Sequence, residues 1–219
     1  ELDYARSKLL EMKTDALGAF LPEAPEAEKR RAEGQEYRRA HQFDSWEDRP
    51  LQERCMTYQR VPPVPSGYNN TYHILQTPDM VAIHVENIHD VRIIPIGDRP
   101  WLDGAIRQWN GDSRAHWEGD TLVVETRNYS DKTELRFLST PNTWTVERFT
   151  RVDPYTVDYE WTIDDPSTFT DKITAIVPMT KVAGQLYEYA CHEGNYGMLN
   201  ILRGERMSER MQAESGDAQ

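Results

Sequence analysis

The chain has 219 residues, 37 acidic against 25 basic for a formal net charge of -12, and 38% of it is hydrophobic. That length suffices for one large domain with its own core. The acidic balance argues against a nucleic-acid partner, whose phosphates reward a basic face, and no run approaches the ~20 apolar residues of a membrane-spanning helix.

Leu9, Leu10, Met12, Leu17 and Phe20 form an irregular apolar set able to dock a first short helix on the body. Residues 23–40, EAPEAEKRRAEGQEYRRA, predict a second helix: good helix formers dominate, and Glu26 stands four residues before Arg30. It has almost no apolar stripe, and a helix that is polar all round is solvated or lies on a partner. Pro62, Pro63 and Pro65 with Gly67 then mark a linker, so residues 1–60 are expected to be a helical, charged extension.

From Tyr72 onward β-branched and aromatic runs predict strands over 72–77, 80–94, 121–127, 143–152, 156–163, 172–179 and 185–191, with turn residues between them. The clearest alternation sets Val157, Tyr159, Trp161 and Ile163 against polar neighbours, a strand with one buried and one wet face. The near-regular spacing predicts a mainly β, antiparallel up-and-down barrel over 61–203, because closure removes sheet edges and leaves a lumen for one small ligand. Met198, Ile201 and Leu202 predict a short C-terminal helix, followed by a charged tail over 204–219.

The two cysteines, Cys55 and Cys191, are too few and too far apart for a zinc finger or a CxxC motif. Two readings are open. A disulfide closing most of the chain into a loop is worth about 4–5 kcal/mol in the chain-entropy model, and it requires an oxidising compartment. The alternative is a pair of small buried thiols.

Three clusters carry candidate chemistry. Over 81–93 the odd positions are apolar except Asn87 and His89, which makes His89 a candidate base if that face is inside; Glu86 and Arg92 share the other face and could pair or hold a substrate carboxylate. The polar interruptions also suit a bulge that swaps faces midway. The segment 100–120 reads as a long loop whose Trp101, Trp109 and Trp117, beside Asp112 and Arg114, suit a sugar ring or a planar anion, or plug a barrel end. In CHEGNY at 191–196, Glu193 is a candidate acid and Tyr196 a candidate ligand contact, while Asn195 suits a helix cap. No HExxH-type spacing supports a metal site. GxSxG, P-loop and GxGxxG motifs are also missing, so no metal or cofactor is expected.

DRPLQERC at 48–55, YNNTYHILQTPDMVAIHVENIHDVRIIPI at 68–96, GDSRAHWEGDTLVVETRNYSDKT at 111–133, ERFTRVDPYTVDYEWTIDDPSTFT at 147–170 and YEYACHEGNYGMLNIL at 187–202 resemble a large, functionally uncharacterised family of exported bacterial proteins. The resemblance runs from about Asp48 to Leu202 and implies a mature extracytoplasmic protein, periplasmic or secreted, trimmed at Glu1. Where this chain has SRAHWEGD the family usually has SRGRWEGD or SVGRWEGD, so Ala115 and His116 depart from it. The later hairpins also resemble calycin-type (lipocalin-like) barrels, a likeness of fold that transfers no function.

Three expectations follow. The first is a barrel binding a small molecule in a lumen lined by Tyr159, Trp161, His89 and the loop from Trp101 to Trp117. The second is a cofactor-free hydrolase, lyase or isomerase acting on a sugar-like or aromatic molecule, with His89 as base, Glu86 or Glu193 as its partner or acid, and Arg92 or Arg114 as anion clamp. The third, compatible with both, is an accessory subunit in a homo-oligomer or a larger protein assembly.

Overall fold

The structure, a computed structural model, describes residues 2–7, 11–12, 23–58, 62, 69–132 and 140–216. In chain order these form β1 (Leu2–Ser7), β2 (Glu11–Met12), α1 (Pro25–His41), β3 (Thr71–Gln76), β4 (Met80–Val85), β5 (Val91–Pro95), β6 (Asp112–Glu118), β7 (Thr121–Arg127), β8 (Trp144–Asp153), β9 (Thr156–Asp164), β10 (Ile173–Lys181) and α2 (Tyr196–Gly216). Most of the apolar set near the N-terminus, and the linker prolines other than Pro62, lie outside the described residues.

The strands make one antiparallel sheet in the order β5-β4-β3-β1-β10-β9-β8-β7-β6, with β2 pairing β10. Mainly β architecture is as predicted, but hydrogen bonding does not run continuously round a barrel. The two end strands are joined by a single parallel bridge, Ile96 to Ala115, and Gly97 N–H donates to Ala115 O at 2.8 Å. The sheet is nonetheless curled enough to enclose a core. Tyr72, Ile83, Ile94, Val124, Trp161, Ile173 and Val177, drawn from six strands, belong to one buried cluster.

Four local expectations are corrected. Residues 2–7, placed by the sequence in a helical extension, form β1 in mid-sheet between β3 and β10. The predicted strand over 80–94 is two strands: Ile88 (φ 54°) and His89 (φ 44°) are left-handed, and the chain reverses so that Val85 N–H meets Asp90 O at 2.9 Å. The reversal changes the inward parity from Val81, Ile83 and Val85 to Arg92 and Ile94. Within the predicted loop over 100–120, residues 112–118 are β6, paired along its length with β7 through the Gly119 turn (φ 59°). The predicted strand over 185–191 has no strand structure, because β10 already pairs with β9 on one side and with β1 and β2 on the other.

The helices attach through their starts, and α2 also through Arg206, which donates to the carbonyls of Phe43 and Asp44 at 3.2 and 3.3 Å. In α1, Pro25 opens the first turn, Glu26 and Glu28 sit at its N-terminus and Arg38, Arg39 and His41 at its C-terminus, each sign placed to suit the helix dipole. Its start is tied to the connection after β9 by Ala24 N–H to Thr168 O at 2.9 Å and Arg30 Nη2 to Ser167 O at 2.8 Å. That connection is itself knotted by buried Asp165, which accepts from the hydroxyls of Thr140, Thr143, Ser167 and Thr168 at 2.6–3.0 Å. Asn195 caps α2, accepting from Met198 N–H at 3.3 Å while donating to Glu53 O at 2.7 Å. The helix runs through the expected boundary at 203 as far as Gly216.

Cys55 and Cys191 are bonded, Cα atoms 5.7 Å apart, across 136 residues of sequence. The bridge fastens the start of α2 to the turn after α1. Reduction, or Cys55→Ser, is expected to cost about 2–5 kcal/mol of stability. This would be read as a lower urea midpoint, with a hydrogen gained on each sulfur by intact mass; an unchanged midpoint would contradict it.

Candidate ligand-binding cavity

Strand alternation decides what reaches the interior. β6 sends in Ser113 and Ala115, β7 sends Leu122, Val124 and Thr126, β8 sends Thr145, Glu147 and Phe149, and β9 sends Val157, Tyr159, Trp161 and Ile163, while Trp117 and Arg151 follow on the same parities of β6 and β8 but are exposed. From the other end of the sheet, β5 contributes Arg92, whose guanidinium meets Glu147 in a two-point ion pair: Nη1 to Oε1 at 3.0 Å and Nη2 to Oε2 at 2.6 Å. Arg92 is 8% exposed and Glu147 0%.

Three hydroxyls complete the group. Tyr159 donates to Glu147 Oε1 at 2.7 Å, while Ser113 and Thr126, 2.9 Å apart, lie 3.3 and 3.4 Å from Arg92 Nη2. Burial by itself lowers the Arg92 pKa, but the charge and hydrogen bonds of Glu147 outweigh it and hold the guanidinium above its ordinary value. Burial first, and the Glu147 carboxylate second, push the Tyr159 and Tyr129 hydroxyls up; Tyr129 lies 2.6 Å from Thr145 Oγ1.

Toward the hairpin ends of the same interior is a cavity of about 440 Å3. Ile74, Val81, Ile83, Leu122, Phe149 and Val157 make its wall, together with the Trp117 ring. Its polar lining, Gln76, Asp120 and Arg151, comes from the ends of three hairpins, β3–β4, β6–β7 and β8–β9. Phe149 stacks obliquely on Tyr159 with ring centroids 4.7 Å apart, so the cavity wall leans on the tyrosine that donates to Glu147. An apolar concavity of this volume with a few polar groups is ordinary for a small-molecule site.

The sequence-predicted residues are distributed differently. Trp117 lines the cavity, whereas Tyr159 and Trp161 are fully buried in the core. Arg92 pairs with Glu147 and not with Glu86, whose Oε2 accepts from Thr71 N–H at 3.2 Å. His89 stands exposed on the left-handed turn, not on an inner wall, and Glu193 is exposed beside α2; among the described residues no side-chain hydrogen bond or ion pair joins His89, Glu86 and Glu193 to one another. Arg114 spends its donors on Asp112 and on the carbonyls of Arg99, Pro100 and Ser113, which occupies it as an anion clamp.

Asp112 also receives Leu102 N–H at 2.9 Å. Trp101 lies between the guanidinium groups of Arg114 and Arg127, 5.3 and 4.8 Å from its ring centre; these contacts pin the connection before β6 to the sheet. Trp109 is half-buried in that connection, and Tyr196 projects into solvent at the start of α2. Among the described residues no three His, Cys, Asp or Glu side chains are grouped to hold a metal ion.

Gln76, Phe149, Arg151 and the aliphatic wall escape sequence reading. The signal for Phe149 and Arg151 is their place, with Thr145 and Glu147, on one parity of a ten-residue strand. Comparison with protein-family models, curated proteins and solved structures finds no match.

Two outcomes follow from the buried network. Glu147→Gln leaves the Arg92 charge unpaired and is expected to cost about 3–5 kcal/mol, whereas Arg92→Met with Glu147→Leu should recover much of that loss; chemical denaturation of the three variants checks this. Because Tyr129 and Tyr159 keep their protons in the folded state above the ordinary value of 10.0, the unfolded chain loses protons first as pH rises beyond it. Stability from these groups is therefore intact below pH 10 and declines above it. Absorbance titration at 295 nm should show both ionising only with unfolding, and ionisation in the folded protein near the ordinary value would contradict it.

Proposed function

We propose that the protein is a binding protein for a small, mainly apolar molecule, held in the cavity at the hairpin end of a barrel of the calycin kind. The observation that carries this reading is the segregation within the cavity: an aliphatic and aromatic wall, with polar side chains supplied by the hairpin ends. Burying an apolar ligand against such a wall gains about 25 cal/mol for each Å2 removed from water, and rim groups then set orientation. The near approach of β5 and β6 at Ile96 and Ala115, with Arg92 and Glu147 joined across the interior, supports the barrel reading.

An extracytoplasmic setting is supported by the Cys55–Cys191 disulfide, since such bonds persist in oxidising compartments, and by the motif resemblance to exported bacterial proteins. No described helix is long and apolar enough to cross a membrane.

The test fills the cavity. Ile83→Trp should abolish the fluorescence enhancement of 1-anilinonaphthalene-8-sulfonate seen with the unaltered protein, while far-ultraviolet circular dichroism stays native and stability falls by about 1–3 kcal/mol from overpacking. An undiminished enhancement in a folded variant would place dye binding elsewhere and overturn the reading.

A further inference from the structure

We infer that the molecule held in this cavity carries a single carboxylate, seated on Arg151 at the rim with its apolar body against the wall. This rests on the binding reading above and adds the class of ligand.

Arg151 is the fourth residue on the inward parity of β8, after Thr145, Glu147 and Phe149, and its register partner on β9 is buried Val157. The Arg151 side chain is exposed and stands at the rim of the cavity that it lines. Glu147, one of the residues preceding it on that face, has its own counter-ion in Arg92; among the described residues Arg151 has no carboxylate within ion-pair distance. Its Nε and Nη2 instead reach the carbonyls of Asp153 and Pro154 at 3.3 and 3.4 Å, which steers the guanidinium over the β8–β9 turn, where the hydrogen bond from Tyr155 N–H, and then the Arg151 charge without a direct ion pair, hold the Asp153 carboxyl below its ordinary pKa. Gln76, on the inward parity of β3 with Tyr72 and Ile74, adds a neutral amide donor to the same lining. Guanidinium and amide donors together favour a carboxylate.

Asp120 restricts the charge. It also lines the cavity, in the turn between β6 and β7, and makes no ion pair with Arg151. One guanidinium and one carboxylate in the lining give no net charge from these two groups. A monoanion is therefore accommodated by Arg151, whereas a phosphate monoester or a dicarboxylate brings a second negative charge toward Asp120. The wall of Ile74, Ile83, Leu122 and Phe149 takes the rest of the molecule.

Isothermal titration of the full chain at low ionic strength with octanoate, 1-octanol, octylamine and octanedioate separates the possibilities. Octanoate should bind about two- to fivefold more tightly than octanol, the range for a solvent-accessible charge pair, and more tightly than octylamine or octanedioate. Arg151→Gln should erase the preference for octanoate and leave octanol binding unchanged; Asp120→Asn should tighten octanoate about two- to fivefold. Equal binding of octanoate and octanol, or equal loss of both in Arg151→Gln, overturns the carboxylate inference while the apolar cavity stands. Tighter binding of octylamine reverses the sign of the charge and overturns it too. If neither octanoate nor octanol binds, the cavity reading itself falls and this inference with it.

Discussion

The arrangement of the interior depends on the ion pair between Arg92 and Glu147. These residues come from β5, at one end of the sheet order, and β8, near the other, and their side chains meet where the backbone ladder does not. Between β5 and β6 the backbone offers one bridge, so charge attraction across the interior supplements what a continuous ladder would supply. Such a pair gains little over apolar side chains of equal volume, since both charges must leave water; its two-point geometry ties two distant strands in one register. Ser113, Thr126 and Tyr159 spread that constraint to β6, β7 and β9.

The two ends of the curled sheet are built differently. At one end the connections before β8 and after β9 are knotted on Asp165, and the start of α1 is bonded to the same connection. Four hydroxyls around one buried carboxylate satisfy groups that would otherwise be costly to desolvate. At the other end tight hairpins join β3 to β4, β6 to β7 and β8 to β9. Short turns bring little chain to cover the interior, and the cavity is found there. Its position is thus a consequence of connection length as much as of side-chain choice.

Several elements were legible in the residues because their information is local. The polar helix from Pro25, the alternation from Thr156 to Ile163 and the Asn195 cap each depend on neighbours a few positions away. β6 was harder. Its inward-parity residues are Ser113, Ala115 and Trp117 and its outward-parity ones Arg114, His116 and Glu118, so the alternation is present but only weakly apolar. The strand pattern over 185–191 misleads for the opposite reason: the strand that precedes it, β10, is already paired on both sides. In the run from Met80 to Pro95, two left-handed residues within an apolar stretch reversed the chain, and neither is a glycine that would have signalled it.

Composition and periodicity by themselves determined that this protein is β-rich and acidic, without a helix suited to spanning a membrane, with a polar helix ahead of its main strands. Those properties follow from the side-chain period along each segment and from summed charge. Only the tertiary structure decided that Arg92 belongs to Glu147, that Cys55 meets Cys191, that Tyr159 and Trp161 are core, and that Phe149 and Arg151 share a cavity with Gln76. Each of these is a meeting of residues far apart in sequence, governed by sheet order and inward parity, and a one-residue change of register would send every one of those strand side chains to the other face.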